Sequence, residues 1–373
     1  MRLAAPRRVT LSENADFDDF VIKRSHVIGE EESPELARYL AYEVAQQRPG
    51  EDRYVHFFKV ATLFKVPAGE AINSVDMRDV LIAIGDERVL FLGVVANTST
   101  GALLAYGAQG AGYTLEEARA QCDAGADLVE AALSFFFGVV PEKLSVVEAE
   151  ALMFELGDAN ELIMARGAVS GANSGDVGGL AALAEACGET RYVLAVVAVP
   201  LKGEDMVVAL RKVLQATTQV KHHHVLKKGE DSAEAGNRRA RLRSSWAQMS
   251  ERLERRRVRY DAGIENPSYL YQAFFVSSDA RTPGLAGGAL MESFGPAEAG
   301  LGQDFVVIDE FDEDEKMRLL VHARGFTSYR RVEQDSSIVE PFCYSAYATA
   351  EELGRLCAWT RAGESGGRVV VSA

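Results

Sequence analysis

Alternating runs of apolar and polar residues predict a first set of strands and helices in the N-terminal half of the chain. The run 54–66 is rich in aromatic and branched residues and predicts a strand, and two further apolar runs predict strands at 89–96 and 102–107. A helix is predicted over 71–84. A longer helix is predicted from Thr114 to about Phe137, because Thr114 and Glu117 have the spacing of a capping box. With a closing strand expected at 144–149, the order β-α-β-β-α-β is that of a ferredoxin-like, split βαβ unit.

A second set of elements follows a glycine-rich break at 167–179. Helices are predicted at 180–186 and 204–217, and strands at 192–199, 269–276 and 305–308. The two sets suggest a distant duplication, although no residue-level repeat supports it. The expected fold class is therefore α/β (α+β), with two ferredoxin-like, split βαβ-type units and a helical insertion.

The chain divides into four predicted segments. These are a lead with an amphipathic helix at 1–50, a first α+β unit at 51–150, a second unit at 151–345 with a helical insertion at 221–262, and a C-terminal helix and tail at 346–373. In the lead, Ser33 and Pro34 resemble a helix start, and Leu36, Leu40 and Val44 give an apolar stripe. In the tail, a capping box at Thr349 predicts a helix to about Thr360.

Residues 221–259 differ from the rest of the chain in charge. They hold twelve Lys or Arg residues against five Asp or Glu residues, whereas the net charge of the whole chain is −15. Four apolar residues recur at intervals of four, three and four, as in a short coiled-coil-like seam: Leu242, Trp246, Met249 and Leu253. The candidate partner-binding residues are Trp246, Met249 and Leu253 of this seam and the arginines around it: Arg241, Arg243, Arg255, Arg256 and Arg257.

Three interpretations of this basic segment stay open. It is an arm that contacts an acidic body, either this protein's own or a partner's, or it is a contact between copies in a homo-oligomer. The third interpretation is contact with nucleic acid. The acidity of the remaining chain opposes nucleic-acid binding, although the local patch would supply contacts to phosphates.

The most suggestive chemical motif is the apolar run at 305–308 followed by Asp309 and Glu310, which has the pattern of a Walker B strand. That chemistry needs a phosphate-binding G-x-x-x-x-G-K-[ST] loop, and the sequence contains no Gly-Lys-Ser or Gly-Lys-Thr. The acidic residues that continue to Glu315 are expected to form a solvated loop.

Other motifs are incomplete. Gly107, Gly110 and Gly112 have the wrong spacing for a dinucleotide fingerprint, and a flexible connection between a strand and a helix is expected there. The triplet at 222–224 consists of adjacent histidines, which point in different directions, and the glycine-rich turn at 170–175 has no nearby base for its serines. No catalytic residue, cofactor or metal site is therefore predicted, and the chain is not expected to be an enzyme.

The expected location is the cytoplasm. The N-terminus lacks the apolar core of a secretory signal, and no stretch approaches the ~18–20 apolar residues that span a membrane, so no membrane insertion is expected. The cysteines are far apart in sequence and favour buried free thiols over disulfides: Cys122, Cys187, Cys343 and Cys357.

The order of these elements resembles the amino-terminal, non-motor region of HerA/FtsK-type ATPases, which include the type IV secretion and conjugation ATPases. The likeness covers most of 54–360. It lies in the apolar runs 57–63, 89–95, 192–200 and 269–278, the helical insertion, and the residues 348–353. The sequence Phe135-Phe136-Phe137-Gly138 stands where the family has an Asn-Phe-Pro-Gly-like turn, and Pro200 ends a strand that in the family ends in Glu-Pro.

In that family the corresponding region precedes a RecA-like motor with Walker A and B motifs. The resemblance implies a platform that docks on, or regulates, a ring-shaped P-loop ATPase that translocates DNA or protein. The motor would then lie on a separate chain, or this chain would be a truncated or repurposed relative. A different hypothesis is a self-assembling structural protein of a phage-like or injection particle.

Overall fold

The two predicted units lie in one continuous antiparallel sheet. The structure is a computed structural model that describes residues 19–28, 39–47, 53–66, 74–75, 77–85, 87, 89–138, 140–167, 169, 179–226, 236–295, 305–328 and 345–360. The strands are β1 (Asp19–Ile28), β2 (Tyr39–Gln47), β3 (Tyr54–Lys65), β4 (Ser74–Val75), β5 (Leu90–Thr98), β6 (Gly101–Gly112), β7 (Glu142–Lys143), β8 (Glu161–Gly167), β9 (Tyr192–Leu201), β10 (Ser268–Ser277), β11 (Phe305–Ile308), β12 (Ala346–Thr349) and β13 (Trp359–Thr360). The helices are α1 (Arg78–Gly85), α2 (Leu115–Phe137), α3 (Val146–Asp158), α4 (Gly179–Cys187), α5 (Gly203–Leu226), α6 (Gly236–Glu265), α7 (Thr282–Phe294), α8 (Glu313–Arg324) and α9 (Ala350–Leu356).

The main sheet has the order β1-β2-β3-β6-β5-β9-β10-β8-β11, and every pair in it is antiparallel. Beside this path, β7 pairs with β3 and β12 with β10, while β4 and β13 form a separate two-stranded sheet. The mixed α/β class expected from the sequence is confirmed. The two expected units share this sheet because β5 pairs with β9, where Val94 lies opposite Ala195.

Each unit has the split βαβ arrangement. In the first unit (β3, α1, β5, β6, α2, β7, α3), β6 lies between β3 and β5. In the second unit (β8, α4, β9, β10, α7, β11, α8), β10 lies between β8 and β9. In both units the last strand pairs with the first strand, and a further helix follows it. The two units therefore have the same order of elements and the same order of strands.

Helices cover both faces of the sheet. Buried residues of α1, α2, α4, α7 and α9 form one apolar cluster with one face of the sheet. Buried residues of α3 and α8 form a second cluster with the other face. Because α8 packs on β1 as well as on β8, near the two ends of the strand order, the sheet curves around α3 and α8.

The amphipathic helix predicted around Leu36, Leu40 and Val44 is wrong from residue 39 onward, because those residues form β2. Leu36 lies outside the described residues. In β2, Leu40, Ala41, Tyr42 and Val44 are all buried, since both faces of this strand are covered. A strand buried on both faces has an apolar run without alternation, which resembles a helical stripe when short.

The boundaries of two other regions also differ from the expectation. The strand predicted at 144–149 is wrong: Ser145 caps α3 in a capping box with Glu148, and the closing strand is the two-residue β7. The acidic stretch expected as a loop contains the N-terminus of α8. Asp312 caps this helix, and acidic residues in its first turn interact favourably with the helix dipole.

The glycines expected in a strand-to-helix connection lie inside β6, so this expectation is wrong. Gly110 faces α2, and a Cβ atom there would lie 2.1 Å from the carbonyl oxygen of Ala118 and 2.4 Å from the amide nitrogen of Cys122. Gly110 and Gly112 allow α2 to approach the sheet closely, whereas Gly107 lies against the backbone of Thr62 in β3. The Cys122 thiol, buried under this helix, lies 3.4 Å from the Thr62 hydroxyl.

Candidate functional site

The arm formed by α5 and α6 is the main addition to the repeated fold. It connects β9 to β10, whose residues Leu201 and Ser268 are opposite each other in the sheet. In the first unit, the equivalent strands β5 and β6 are joined by residues 99–100 alone, with Thr98 opposite Gly101. At 1.5 Å per residue, α5 is about 36 Å long and α6 about 45 Å long. The arm is therefore inserted where the fold needs only a tight turn.

The two helices of the arm pack on each other. Leu253 of α6 is buried in a small cluster with Val213 and Ala216 of α5, and the partly buried Tyr260 packs against this cluster. The structure therefore places Leu253, which the sequence made a candidate for partner binding, inside the arm. The seam at this position joins α6 to α5.

Arg255, Arg256 and Arg257 lie in the C-terminal half of α6, which is the half nearest the main sheet. Arg255 forms an ion pair with Glu251, and Arg257 forms one with Glu254. Arg256 is partly exposed. Exposed ion pairs within a helix are weak because solvent screens the charges, so Arg255 and Arg257 remain accessible to an acidic partner.

The remaining candidates lie further from the body. Arg241, Arg243, Trp246 and Met249 are all in α6, and their side chains lie outside the described part of the structure. All eight candidate positions thus lie in α6, within the helical insertion that the sequence predicts.

The base of the arm is held by Arg259, which the sequence analysis did not single out. Its guanidinium forms a bidentate ion pair with Glu352 of α9: Nε lies 2.8 Å from Oε1 and Nη2 lies 2.8 Å from Oε2. Nη2 also donates to the backbone oxygen of Tyr347 at 2.7 Å. Burial lowers the pKa of Arg259, but the Glu352 carboxylate opposes this effect, and the net shift is upward. The guanidinium is therefore a fixed charge.

Tyr347 completes this anchor. Its hydroxyl donates to the backbone oxygen of Arg259 at 3.1 Å and lies 2.9 Å from the Ser268 hydroxyl. The Arg259 guanidinium also lies over the Tyr347 ring, 5.3 Å from its centroid. Gly263 gives the tyrosine room, because a Cβ atom there would lie 2.0 Å from the Tyr347 hydroxyl. No sequence pattern marks this anchor, since its partners are far apart in the chain.

A second feature of the surface is an aromatic patch at the end of α2. Phe135 is 81% exposed and Phe136 is 41% exposed, and their rings meet edge to face at a centroid distance of 5.1 Å. Val140, just beyond the helix, is 79% exposed. Clustered exposed aromatic residues are typical of contact surfaces. Phe135 and Phe136 of this patch belong to the Phe135-Phe136-Phe137-Gly138 segment on which the family resemblance partly rests.

The other candidate chemistry is not assembled into a site. Asp309 and Glu310 follow β11 and are exposed. Within the described ranges, no group of three or more His, Cys, Asp or Glu residues is arranged to hold a metal ion. The histidines at 222–224 are in α5, but their side chains lie outside the described part, as does the segment 170–175.

Three cysteines are buried free thiols, as the sequence predicts: Cys122, Cys187 and Cys357. Burial raises the pKa of the Cys122 thiol to about 11 and that of Cys187 to about 12. These thiols are therefore protonated near neutral pH and are not activated nucleophiles. Cys343 lies outside the described residues.

Comparison with known proteins gives no relative from which a role can be transferred: no family model matches the chain, and no curated protein matches it. Among the helices that the structure describes, none combines the length and the apolar character needed to cross a membrane.

Proposed function

We propose that the protein is a non-catalytic scaffold or adaptor that docks on, or regulates, a separately encoded P-loop translocase in the cytoplasm. The observation that carries the proposal is the arm, which extends one of two topologically equivalent units at a connection that needs only a turn. A long insertion at such a position adds surface without contributing to the repeated fold.

Charge supports a binding role for the arm. Residues 221–259 are basic, while the chain as a whole carries a net charge of −15. The anchor formed by Arg259, Glu352 and Tyr347 fixes the direction in which α6 leaves the body. A basic helix held at a defined angle is suited to an acidic protein surface, because complementary charge gives orientation and fast association.

The nature of the partner rests on the resemblance to the non-motor region of HerA/FtsK-type ATPases. The element order on which that resemblance depends includes a helical insertion at the position of the arm. The sequence also lacks a phosphate-binding loop, so ATP hydrolysis is assigned to the partner.

The test is a tagged pull-down from native lysate, with co-purifying proteins identified by mass spectrometry. The wild-type chain is compared with a variant in which residues 202–267 are replaced by Asn-Gly, a two-residue hairpin turn. A variant with Ser99-Thr100 replaced by Asn-Gly is the matched control in the first unit. We expect a stoichiometric P-loop ATPase with the wild type and with the control, and its loss with the armless variant.

The armless variant leaves Glu352 without Arg259. Adding Glu352→Gln removes this charge and retains a residue that completes the capping box with Thr349. Nuclease treatment of the lysate tells a direct protein contact from a nucleic-acid bridge. The adaptor proposal is rejected if no P-loop ATPase co-purifies with the wild type, or if the armless protein captures it equally well.

A further inference from the structure

Both ends of the main sheet present a strand edge without a strand partner among the described residues. β1 pairs with β2 on one side, and β11 pairs with β8 on one side. The outer side of an edge strand carries backbone donors and acceptors that can pair with another strand.

The two edges have opposite charge. On β1, Lys23 and Arg24 are exposed. β11 is followed directly by the exposed Asp309 and Glu310, and the first turn of α8 adds further exposed carboxylates. Each edge also carries apolar residues: Val21 is 45% exposed, and Val306, Val307 and Ile308 of β11 are partly exposed.

The sequences of the two edges match in a parallel register. The nine strands from β1 to β11 alternate in direction, so β1 and β11 run in the same direction. If a second copy continues the sheet, and each face of its sheet continues the same face of the first, its β1 therefore lies parallel to β11 of the first copy. The register that sets Val21-Ile22 beside Val307-Ile308 also sets Lys23-Arg24 beside Asp309-Glu310.

We propose that β11 of one copy pairs with β1 of a second copy, so that the sheet continues from one molecule to the next. Pairing β1 with β1 would bring Lys23 and Arg24 close to their own counterparts, and pairing β11 with β11 would do the same for Asp309 and Glu310. Like charges destabilise such pairs. This head-to-tail contact can repeat from copy to copy. It gives a ring if the rotation between successive copies returns to the first copy, and a filament if it does not.

The contact is short, because β11 has four residues. On β1, the register with β2 shifts between Ile22 and Arg24, and such a bulge limits pairing with unselected strands. The association is therefore selective for an acidic edge and weakens with salt. This inference does not depend on the adaptor proposal, since it concerns the purified protein alone.

The test is the oligomeric state by analytical ultracentrifugation at low and high salt, over a range of protein concentrations. We expect the wild type to exceed the mass of one chain at high concentration and low salt. The variants are Lys23→Glu with Arg24→Glu, and Asp309→Lys with Glu310→Lys. All four positions are exposed, so both variants are expected to fold, with thermal midpoints near that of the wild type.

Mixing the variants makes the test specific. Each variant alone has two edges of the same charge and is expected to be monomeric. In an equimolar mixture, the acidic β1 of one variant meets the basic segment after β11 of the other, and their unchanged edges also match, so assembly is restored. A monomeric wild type at every concentration overturns the proposal. Assembly that survives in either variant alone, or that mixing does not restore, also overturns it.

Discussion

The two units of the sheet share an order of elements but differ in how their middle strands are joined and packed. In the first unit, residues 99–100 join β5 to β6, whereas in the second unit the arm joins β9 to β10. In the first unit, α2 lies close on the glycines of β6, whereas β10 presents the buried aromatic rings of Tyr271 and Phe275 to the same side. One topology is thus compatible with two ways of filling the space between sheet and helix.

The comparison separates what the fold requires from what has been added to it. The split βαβ arrangement recurs in both units and is held by burial on both faces of the sheet. The arm occurs in one unit and meets the body through a polar anchor at the end of α6. Changes to the repeated part and to the anchor are therefore expected to affect folding, and changes to the arm beyond its anchor are expected to affect binding.

The largest expected effect comes from closing the approach of α2 to β6. Gly110→Ala would place a methyl group against the backbone of Ala118 and Cys122, neither of which can move without displacing α2. We expect a loss of about 3 kcal/mol in the free energy of unfolding. Denaturant unfolding measures it.

The matched control is Gly288→Ala in the middle of α7, where a Cβ atom meets nothing within 4 Å. In a helix this change is expected to stabilise the protein by about 0.5–1 kcal/mol. If Gly110→Ala is as well tolerated as Gly288→Ala, α2 does not lie as close to β6 as the structure indicates.

The next largest effect is expected at the anchor of the arm. Arg259→Ala leaves the Glu352 carboxylate, which is 14% exposed, without its bidentate partner. We expect a loss of about 2–3 kcal/mol, somewhat less than for a fully buried pair. The control is Arg355→Ala, which removes an exposed pair with Glu351 in the same helix and is expected to cost less than about 1 kcal/mol. Equal losses in the two variants would contradict a structural role for the anchor.

Local patterns in the sequence predicted the elements whose signals are local. The apolar runs gave β3, β5, β9 and β10, and the hydroxyl–carboxylate spacing at Thr114 and Thr349 gave the starts of α2 and α9. The same spacing exists at Ser145, but the apolar residues beside it resembled a strand. α8 was not predicted because its first turn is acidic, as in a solvated loop, although Leu319, Leu320 and Ala323 form its buried face.

Other features depend on residues that are distant in the chain, and no local pattern encodes them. The pairing of β5 with β9 joins the two units, yet each strand has the composition of any buried strand. The basic segment and its helical form were predicted from the sequence. The pairing of Arg259 with Glu352 was not, because it depends on where α9 lies on the finished sheet.

A pH-dependent effect distinguishes the helices that end the two units. Relative to the N-caps Ser145 and Asp312, Glu155 of α3 and His322 of α8 occupy equivalent, buried positions. Glu155 pairs with Arg191, whereas His322 lies with Nδ1 2.7 Å from the Thr327 hydroxyl. Burial, with a smaller contribution from the charge of Lys59, lowers the pKa of His322 to about 3 from 6.5.

The direction of the pH dependence of stability follows from proton binding. Between pH 6.5 and 3 the unfolded chain binds more protons than the folded protein at this histidine. The stabilisation by the neutral imidazole is thus fully present above about pH 6.5 and is lost as the pH falls towards 3. We expect His322→Asn to reduce the pH dependence of the unfolding free energy in this window by up to about 1.4 kcal/mol per pH unit. An unchanged slope would show that His322 is protonated in the folded state.

The smallest expected effects concern the caps of these same helices. The Ser145 hydroxyl accepts a hydrogen bond from the amide of Glu148, and the Asp312 carboxylate accepts one from the amide of Glu315. Ser145→Ala and Asp312→Ala each leave that amide without its cap, and a loss of about 1 kcal/mol is expected in both, measured by thermal and denaturant unfolding. Of these two helices, α3 alone has a full capping box, in which the Glu148 side chain accepts a hydrogen bond from the amide of Ser145. The same side chain also binds Lys65. Because these contacts persist in Ser145→Ala, the loss there should not exceed the loss in Asp312→Ala. A clearly larger loss at Ser145 would mean that the two units depend differently on the start of their final helix.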